Sequence, residues 1–163
     1  MSKHAIYAGT FDPITNGHRD IVLRALKVFD QLTIAVANAP AKALLFEADD
    51  RVKLVKGALA DVEGRVTVEK FDGLLVDYVR KKGAKVIIRG LRAVSDYEYE
   101  AQMAIMNGQL SPELETVFLM TSAHCSFISS SVVKEVARHG GAIGAFVPEN
   151  VARELKSRFG QKS

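Results

Sequence analysis

The chain has 163 residues, about half of them apolar and a quarter charged, as expected for one soluble globular domain able to bury a substantial core. The net charge of +3 is modest and the basic residues are scattered, with Arg80-Lys81-Lys82 as the longest run, so no stripe suits nucleic acid. No apolar run approaches the roughly 20 residues of a membrane span, no signal peptide is expected ahead of a strand that begins so early, and the single cysteine, Cys125, excludes an internal disulfide and points to a reducing cytoplasm.

Ala5-Ile6-Tyr7-Ala8 reads as a buried first strand. Ile21, Val22, Ala25, Leu26 and Phe29 fall on one face of a first helix. Between them lies Gly9-Thr10-Phe11-Asp12-Pro13-Ile14-Thr15-Asn16-Gly17-His18, a strand-to-helix loop with Thr15 or Asn16 able to cap the helix. His18 then falls in the first helical turn, where unpaired N–H groups and the helix dipole suit a phosphate. A Gly-rich loop and a capping histidine are also common without any ligand. Leu32 to Ala37 is a second strand, followed by a loop with Pro40, Lys42 and Phe46. Asp49 and Asp50 introduce a helix with Val52, Val55, Ala58 and Leu59. Val66 and Val68 mark a third strand. Phe71-Asp72-Gly73 is a turn, and Leu74, Leu75, Tyr78 and Val79 form a short helix closed by Gly83.

Val86-Ile87-Ile88 is a continuous apolar strand, hence an interior one. Arg89-Gly90-Leu91-Arg92 follows it, then a helix from about Val94 to Gln109 with Asp96, Glu98 and Glu100 near its start. Ser111-Pro112 breaks that helix. Val117 to Met120 is a fifth strand, Ser129-Ser130-Ser131 caps a helix to about His139, and Pro148 precedes a last helix. This alternation over 1–163, with no repeat or linker, predicts one α/β domain. Its architecture is a Rossmann-like, doubly wound, five-stranded parallel sheet with helices on both faces.

In such a sheet the loops after the strand C-termini share one edge. Thr10 and His18, then Lys42, then Arg89, Gly90 and Arg92, then Ser126 to Ser131 would meet there. Cations, hydroxyls and helix N-termini in one place suit several phosphates. Two arginines at the end of an apolar strand are costly unless an anion awaits them. From local sequence alone Lys42 reads first as a surface lysine, Leu75 as core, and Cys125 as a structural or incidental thiol.

Gly-Thr-Phe-Asp-Pro followed by Thr-x-Gly-His resembles the signature of the nucleotidyltransferase superfamily, and is neither a P-loop nor a dinucleotide fingerprint. Ile88-Arg89-Gly90-Leu91-Arg92 running into Asp96-Tyr97-Glu98-Tyr99-Glu100, together with Phe127 to Glu135 and Pro148 to Val151, is similar to the phosphopantetheine adenylyltransferase family. The resemblance implies transfer of the adenylyl group of ATP to 4′-phosphopantetheine, giving dephospho-coenzyme A and pyrophosphate. Mg²⁺ would be carried by ATP, with no metal ligand from the protein.

The resemblance also assigns roles. His18 would stabilise the transition state, with Lys42 and Arg92 also catalytic. Thr10, Lys42, Leu75 and Arg89 would hold phosphopantetheine. Thr10, Phe11, His18, Gly90, Leu91, Arg92, Glu100, Cys125, Ser126, Phe127, Ile128, Ser129, Ser130 and Ser131 would surround ATP. A homohexamer and feedback inhibition by coenzyme A are implied as well. Ala8 stands where the family usually has proline, Cys125 where it often has a bulky aromatic, and Ala123-His124 is atypical. Another enzyme of the superfamily, acting on nicotinate mononucleotide, and a non-catalytic nucleotide sensor are the alternative readings; an intact His18 and cation set disfavour the sensor.

Overall fold

The computed structural model describes residues 3–160. Five strands form one parallel sheet: β1 (His4–Gly9), β2 (Gln31–Ala37), β3 (Val66–Phe71), β4 (Val86–Leu91) and β5 (Glu115–Met120). Their order is β3-β2-β1-β4-β5. The chain winds outward from β1 to one edge, returns to its other side at β4, and continues to β5. The helices are α1 (Asn16–Ala25), α2 (Ala48–Ala58), α3 (Leu75–Lys81), α4 (Val94–Leu110), α5 (Ser130–Arg138) and α6 (Glu149–Arg158). No helix among the described residues is long and apolar enough to cross a membrane.

Alternation along the strands feeds a core on each face. Tyr7, Ile34, Val36 and Ile88 point to one face and pack with Ile21 and Val22 of α1, Val133 of α5 and Val151 of α6. Ile6, Ala8, Ala35 and Ile87 point to the other, against Val76 and Val79 of α3. Thr15 is the cap of α1. The strand expected to stop at Ile88 runs on through Leu91, because Arg89, Gly90 and Leu91 pair with Phe118, Leu119 and Met120. Arg89 and Gly90 therefore belong to the strand rather than to the loop after it.

Helix α4 differs from the other long helices. Asn107 is the one buried residue in its 17 positions. Val94, Tyr99, Ile105, Met106 and Leu110 are exposed.

Candidate functional site

A cleft of about 310 Å³ opens at the C-terminal ends of β1 and β4, where the strand order reverses and α/β sheets place their ligands. Thr10, Phe11, His18, Arg89, Gly90, Arg92, Glu100, Ile128 and the three serines Ser129, Ser130 and Ser131 line it. The topology thus brings together three of the four segments singled out above, all but that of Lys42. Lys42, Leu75, Leu91, Cys125, Ser126 and Phe127 are not on its wall. Lys42 lies exposed on its loop. Leu75 packs beside the core under α3, and Leu91 is buried. Phe127 is exposed, edge-on to Phe146 at 5.8 Å.

His18 is held by a reciprocal cap. The Thr15 hydroxyl accepts from the His18 backbone N–H, while the Thr15 backbone N–H donates to His18 Nδ1 at 3.0 Å. This is the capping-box arrangement with an imidazole where glutamate usually stands. Nδ1 is an acceptor and so carries no proton. In the neutral ring the proton is therefore on Nε2, which has no partner among the described residues. The ring packs against the edge of Phe11, with centroids 5.1 Å apart. Burial, and then the charges of Arg92 and Arg89, push the imidazole pKa down to about 4. At neutral pH the cleft therefore holds an uncharged Nε2–H donor in fixed orientation.

Both arginines are engaged by carboxylates of the chain itself. Glu100 accepts from Arg89 Nε and Nη2 at 2.6 and 2.7 Å, and Ala8 O accepts from Nη1 at 2.6 Å. Burial opposes the guanidinium charge, but the Glu100 hydrogen bonds and charge outweigh it and hold its pKa above the ordinary value. Asp96 accepts from Nε and Nη2 of Arg92, both at 3.3 Å. Two carboxylates one turn apart on α4 thus meet Arg89 of β4 and Arg92 just beyond it. Glu100, expected beside ATP, is the partner of Arg89 here.

The structure adds residues to which the sequence reading gave no role. Asp12 is 2 % exposed. Its carboxylate accepts from the backbone N–H groups of Leu45 and Phe46, each at 2.9 Å, and from Lys134 Nζ of α5 at 2.7 Å. Arg51 of α2 is equally buried. It donates to Phe46 O at 3.1 Å, to Thr10 O at 2.6 Å and to Ala37 O at 2.8 Å. Phe11 follows Thr10, whose carbonyl Arg51 holds, and precedes Asp12; its φ of +48° is uncommon for a residue with a side chain. Such a conformation persists where its surroundings over-determine it, and Asp12 and Arg51 supply that constraint. On the far side, Asp20 accepts from the Ser122 N–H at 2.7 Å and hydroxyl at 2.8 Å, fixing the loop after β5.

The three serines divide their work. Ser129 caps α5 by accepting from the Val132 N–H, and Ser130 donates to Pro13 O at 2.8 Å. The Ser131 hydroxyl is exposed at the cleft wall, beside the N-terminal amides of α5. Cys125, placed in the nucleotide wall by resemblance, is 3 % exposed and packs in the core. Burial, with a contribution from Asp20, raises its thiol pKa, which disfavours the reactive thiolate. Cys125→Ala is expected to keep kcat within about threefold, since it touches no cleft surface. A loss of several hundredfold in steady-state assays would show a chemical role.

The cytidylyltransferase-like family model matches residues 6–136. A phosphopantetheine adenylyltransferase of Moorella thermoacetica is 52 % identical over 158 residues, covering 97 % of this chain and 98 % of the relative. Among solved structures, a putative nicotinate-nucleotide adenylyltransferase from Vibrio parahaemolyticus superposes with a TM-score of 0.69 at 16 % identity, covering 100 % of this chain and 98 % of that one. A bifunctional NMN adenylyltransferase/ADP ribose pyrophosphatase from Francisella tularensis, complexed with AMP and a Mn ion, gives 0.70 at 14 % identity, covering 96 % of this chain and half of that one. At such identities the two structures speak for the fold alone.

Proposed function

The chain belongs to the cytidylyltransferase-like family, on its phosphopantetheine adenylyltransferase branch, and from that premise we propose that it joins ATP to 4′-phosphopantetheine. An oxygen of the phosphate monoester attacks the α-phosphorus of ATP, the bond to the β-phosphate breaks, and pyrophosphate leaves. The product is dephospho-coenzyme A. The observation that carries this reading is the neutral Nε2–H of His18, fixed by Thr15 at the mouth of a helix and set in a cleft with Thr10, Arg92 and the amides of α5.

The attacking phosphate has a second pKa near 6, so it is largely dianionic at neutral pH and needs no base. What the reaction needs is alignment of two anions and stabilisation of the charge that gathers at the α-phosphate. Thr10 and the exposed Ser131 offer hydroxyls. Arg92 offers a cation held in place by Asp96 and by Ile128 O. The divalent cation, Mg²⁺ in this proposal, enters with the triphosphate. No group of three or more His, Cys, Asp or Glu stands together among the described residues, and the cleft carboxylates are engaged by arginines. Substrate oxygens and water suit Mg²⁺ better than such a donor set.

Lys42 is proposed to reach the incoming phosphate from its exposed loop, and Arg92 to hold the polyphosphate. Leu75 is proposed to contact the pantetheine arm. Coenzyme A, which unites the two substrate portions, is proposed as a feedback inhibitor, and the cytoplasm as the location. The exposed apolar residues of α4 support a homo-oligomer, a hexamer in this proposal.

The test is pyrophosphate release from ATP with 4′-phosphopantetheine against nicotinate mononucleotide. The first should turn over, and turnover with the second alone would overturn the reading. Within it, Lys42→Ala should raise KM for phosphopantetheine about 10- to 100-fold, the loss of one charge-assisted contact, with KM for ATP little changed. Arg92→Ala should do the reverse. If Lys42→Ala weakens only ATP, its assignment is wrong.

A further inference from the structure

The phenol of Tyr7 has no role in the reaction described so far. Tyr7 lies on β1 and is 5 % exposed, with its ring edge-on to Phe11 at 5.3 Å. A buried tyrosine normally finds a partner for its hydroxyl. This one makes no hydrogen bond within the described residues. Yet no fully enclosed side-chain nitrogen or oxygen among them lacks a partner. The Tyr7 hydroxyl is therefore not enclosed: it opens into the cleft that the residue lines.

Gly90 lies beside it on the cleft wall. A Cβ at that position would make ordinary contact with the Tyr7 oxygen at 3.6 Å and crowd Ile21 Cγ1 at 2.9 Å.

The surroundings select what it can bind. Burial raises the phenol pKa, Arg89 and Arg92 oppose this, and Glu100 adds to it; the group stays a protonated donor at neutral pH. The other free groups of the cleft are also donors: His18 Nε2, the hydroxyls of Thr10 and Ser131, and the amides of α5. The carbonyl of Ala8, next on the strand, is already taken by Arg89. A floor of donors within reach of two guanidinium charges fits an anionic acceptor best.

We propose that the Tyr7 hydroxyl donates a hydrogen bond to a phosphoryl oxygen of a substrate bound in the cleft. Two substrates carry that oxygen, the polyphosphate of ATP and the monoester of 4′-phosphopantetheine. The assignment of these two substrates rests on the function proposed above.

Tyr7→Phe removes only the hydroxyl and keeps the ring against Phe11. Its melting temperature without ligand should match that of the parent protein, because the hydroxyl has no protein partner to lose. ATP and 4′-phosphopantetheine, each titrated alone by calorimetry, should show an affinity loss of about 10-fold for one of them. A loss for ATP assigns the polyphosphate, and a loss for phosphopantetheine assigns the monoester. Unchanged affinity for both overturns the proposal. So does a fall of several degrees in the ligand-free melting temperature, which would make the hydroxyl a structural group. If the parent protein fails to release pyrophosphate with phosphopantetheine, the functional reading falls, while the ATP titration still decides the role of Tyr7.

Discussion

His18→Ala lowers kcat by about 10²- to 10³-fold and leaves both KM values nearly unchanged, the size expected for losing one preorganised donor to a developing negative charge. The expectation follows from the tautomer. The Thr15 N–H occupies Nδ1, so the only ring proton is on Nε2. A base role is not available to a nitrogen that already carries its proton, and the attacking phosphate has no proton to give up. With its pKa pushed down to about 4, His18 does not titrate between pH 6 and 8. The rate should show no limb from it there; the acid limb should come from the phosphate monoester, near 6.

His18→Gln keeps an N–H and should recover part of the loss if the amide reaches. Chiral α-phosphorothioate ATP should react with inversion at phosphorus. Retention would require a covalent adenylyl-enzyme and would overturn the mechanism. The same depressed pKa has a stability consequence. The unfolded chain binds a proton at His18 near 6.5 and the folded one near 4. Stability therefore falls as pH drops through that window, and the His18→Gln protein should lose less of its melting temperature between pH 7 and 4.5.

Arg51→Met is expected to be the most destabilising single change in the loops around the cleft. The guanidinium donates to three backbone carbonyls, on the first loop, at the end of β2 and at the start of α2. Methionine fills much of the volume and satisfies none of them. Stranded buried acceptors cost about 1–3 kcal/mol each. Allowing for partial relaxation toward water, the total should be about 3–5 kcal/mol. For a domain of this size each kcal/mol shifts the melting temperature by about 2–4 °C, so a fall of about 10 °C is expected in calorimetry. Phe11, with its positive φ, loses one of its constraints at the same time. Activity should therefore decline well below the unfolding transition. A fall of less than about 3 °C would show that water replaces the guanidinium without cost.

The sheet was legible because each strand is a short apolar run ending at a glycine, a turn or a charged residue. The serine cap and the Thr15 cap were legible for the same local reason: their partners lie within three or four positions. Arg51 was not. In Asp49-Asp50-Arg51-Val52-Lys53 it looks like one more charge on a solvated helix, and only the bonds that carry it to Thr10 and the end of β2 show it to be interior. Arg89 was read as half of a phosphate site, because a buried cation needs an anion. Its pairing with Glu100, one turn beyond Asp96 on the next helix, was not legible, since nothing local distinguishes that acid from Glu98. Asp12 was legible as part of a motif, though its hold on Leu45, Phe46 and Lys134 spans the chain and leaves no periodic trace. Phosphate chemistry was thus readable from residue types, while the braces that give it geometry were not.

Asp12 has one more consequence, for the loop that carries Lys42. That loop is fastened upstream where Asn38 bonds Phe71 O and Asp72, and downstream where Leu45 and Phe46 bond Asp12. Residues 39–44 are then a short tether between two fixed posts, with an ammonium near its middle. If Lys42 serves the incoming phosphate as proposed, such a tether sets the effective concentration of its ammonium at the cleft mouth. Lengthening the tether by several glycines would cost the fold little, since closure entropy grows only slowly with length. It would, however, dilute the ammonium. The reach of Lys42 is thus set by the spacing of the two posts, and the buried carboxylate of Asp12 holds one of them in place.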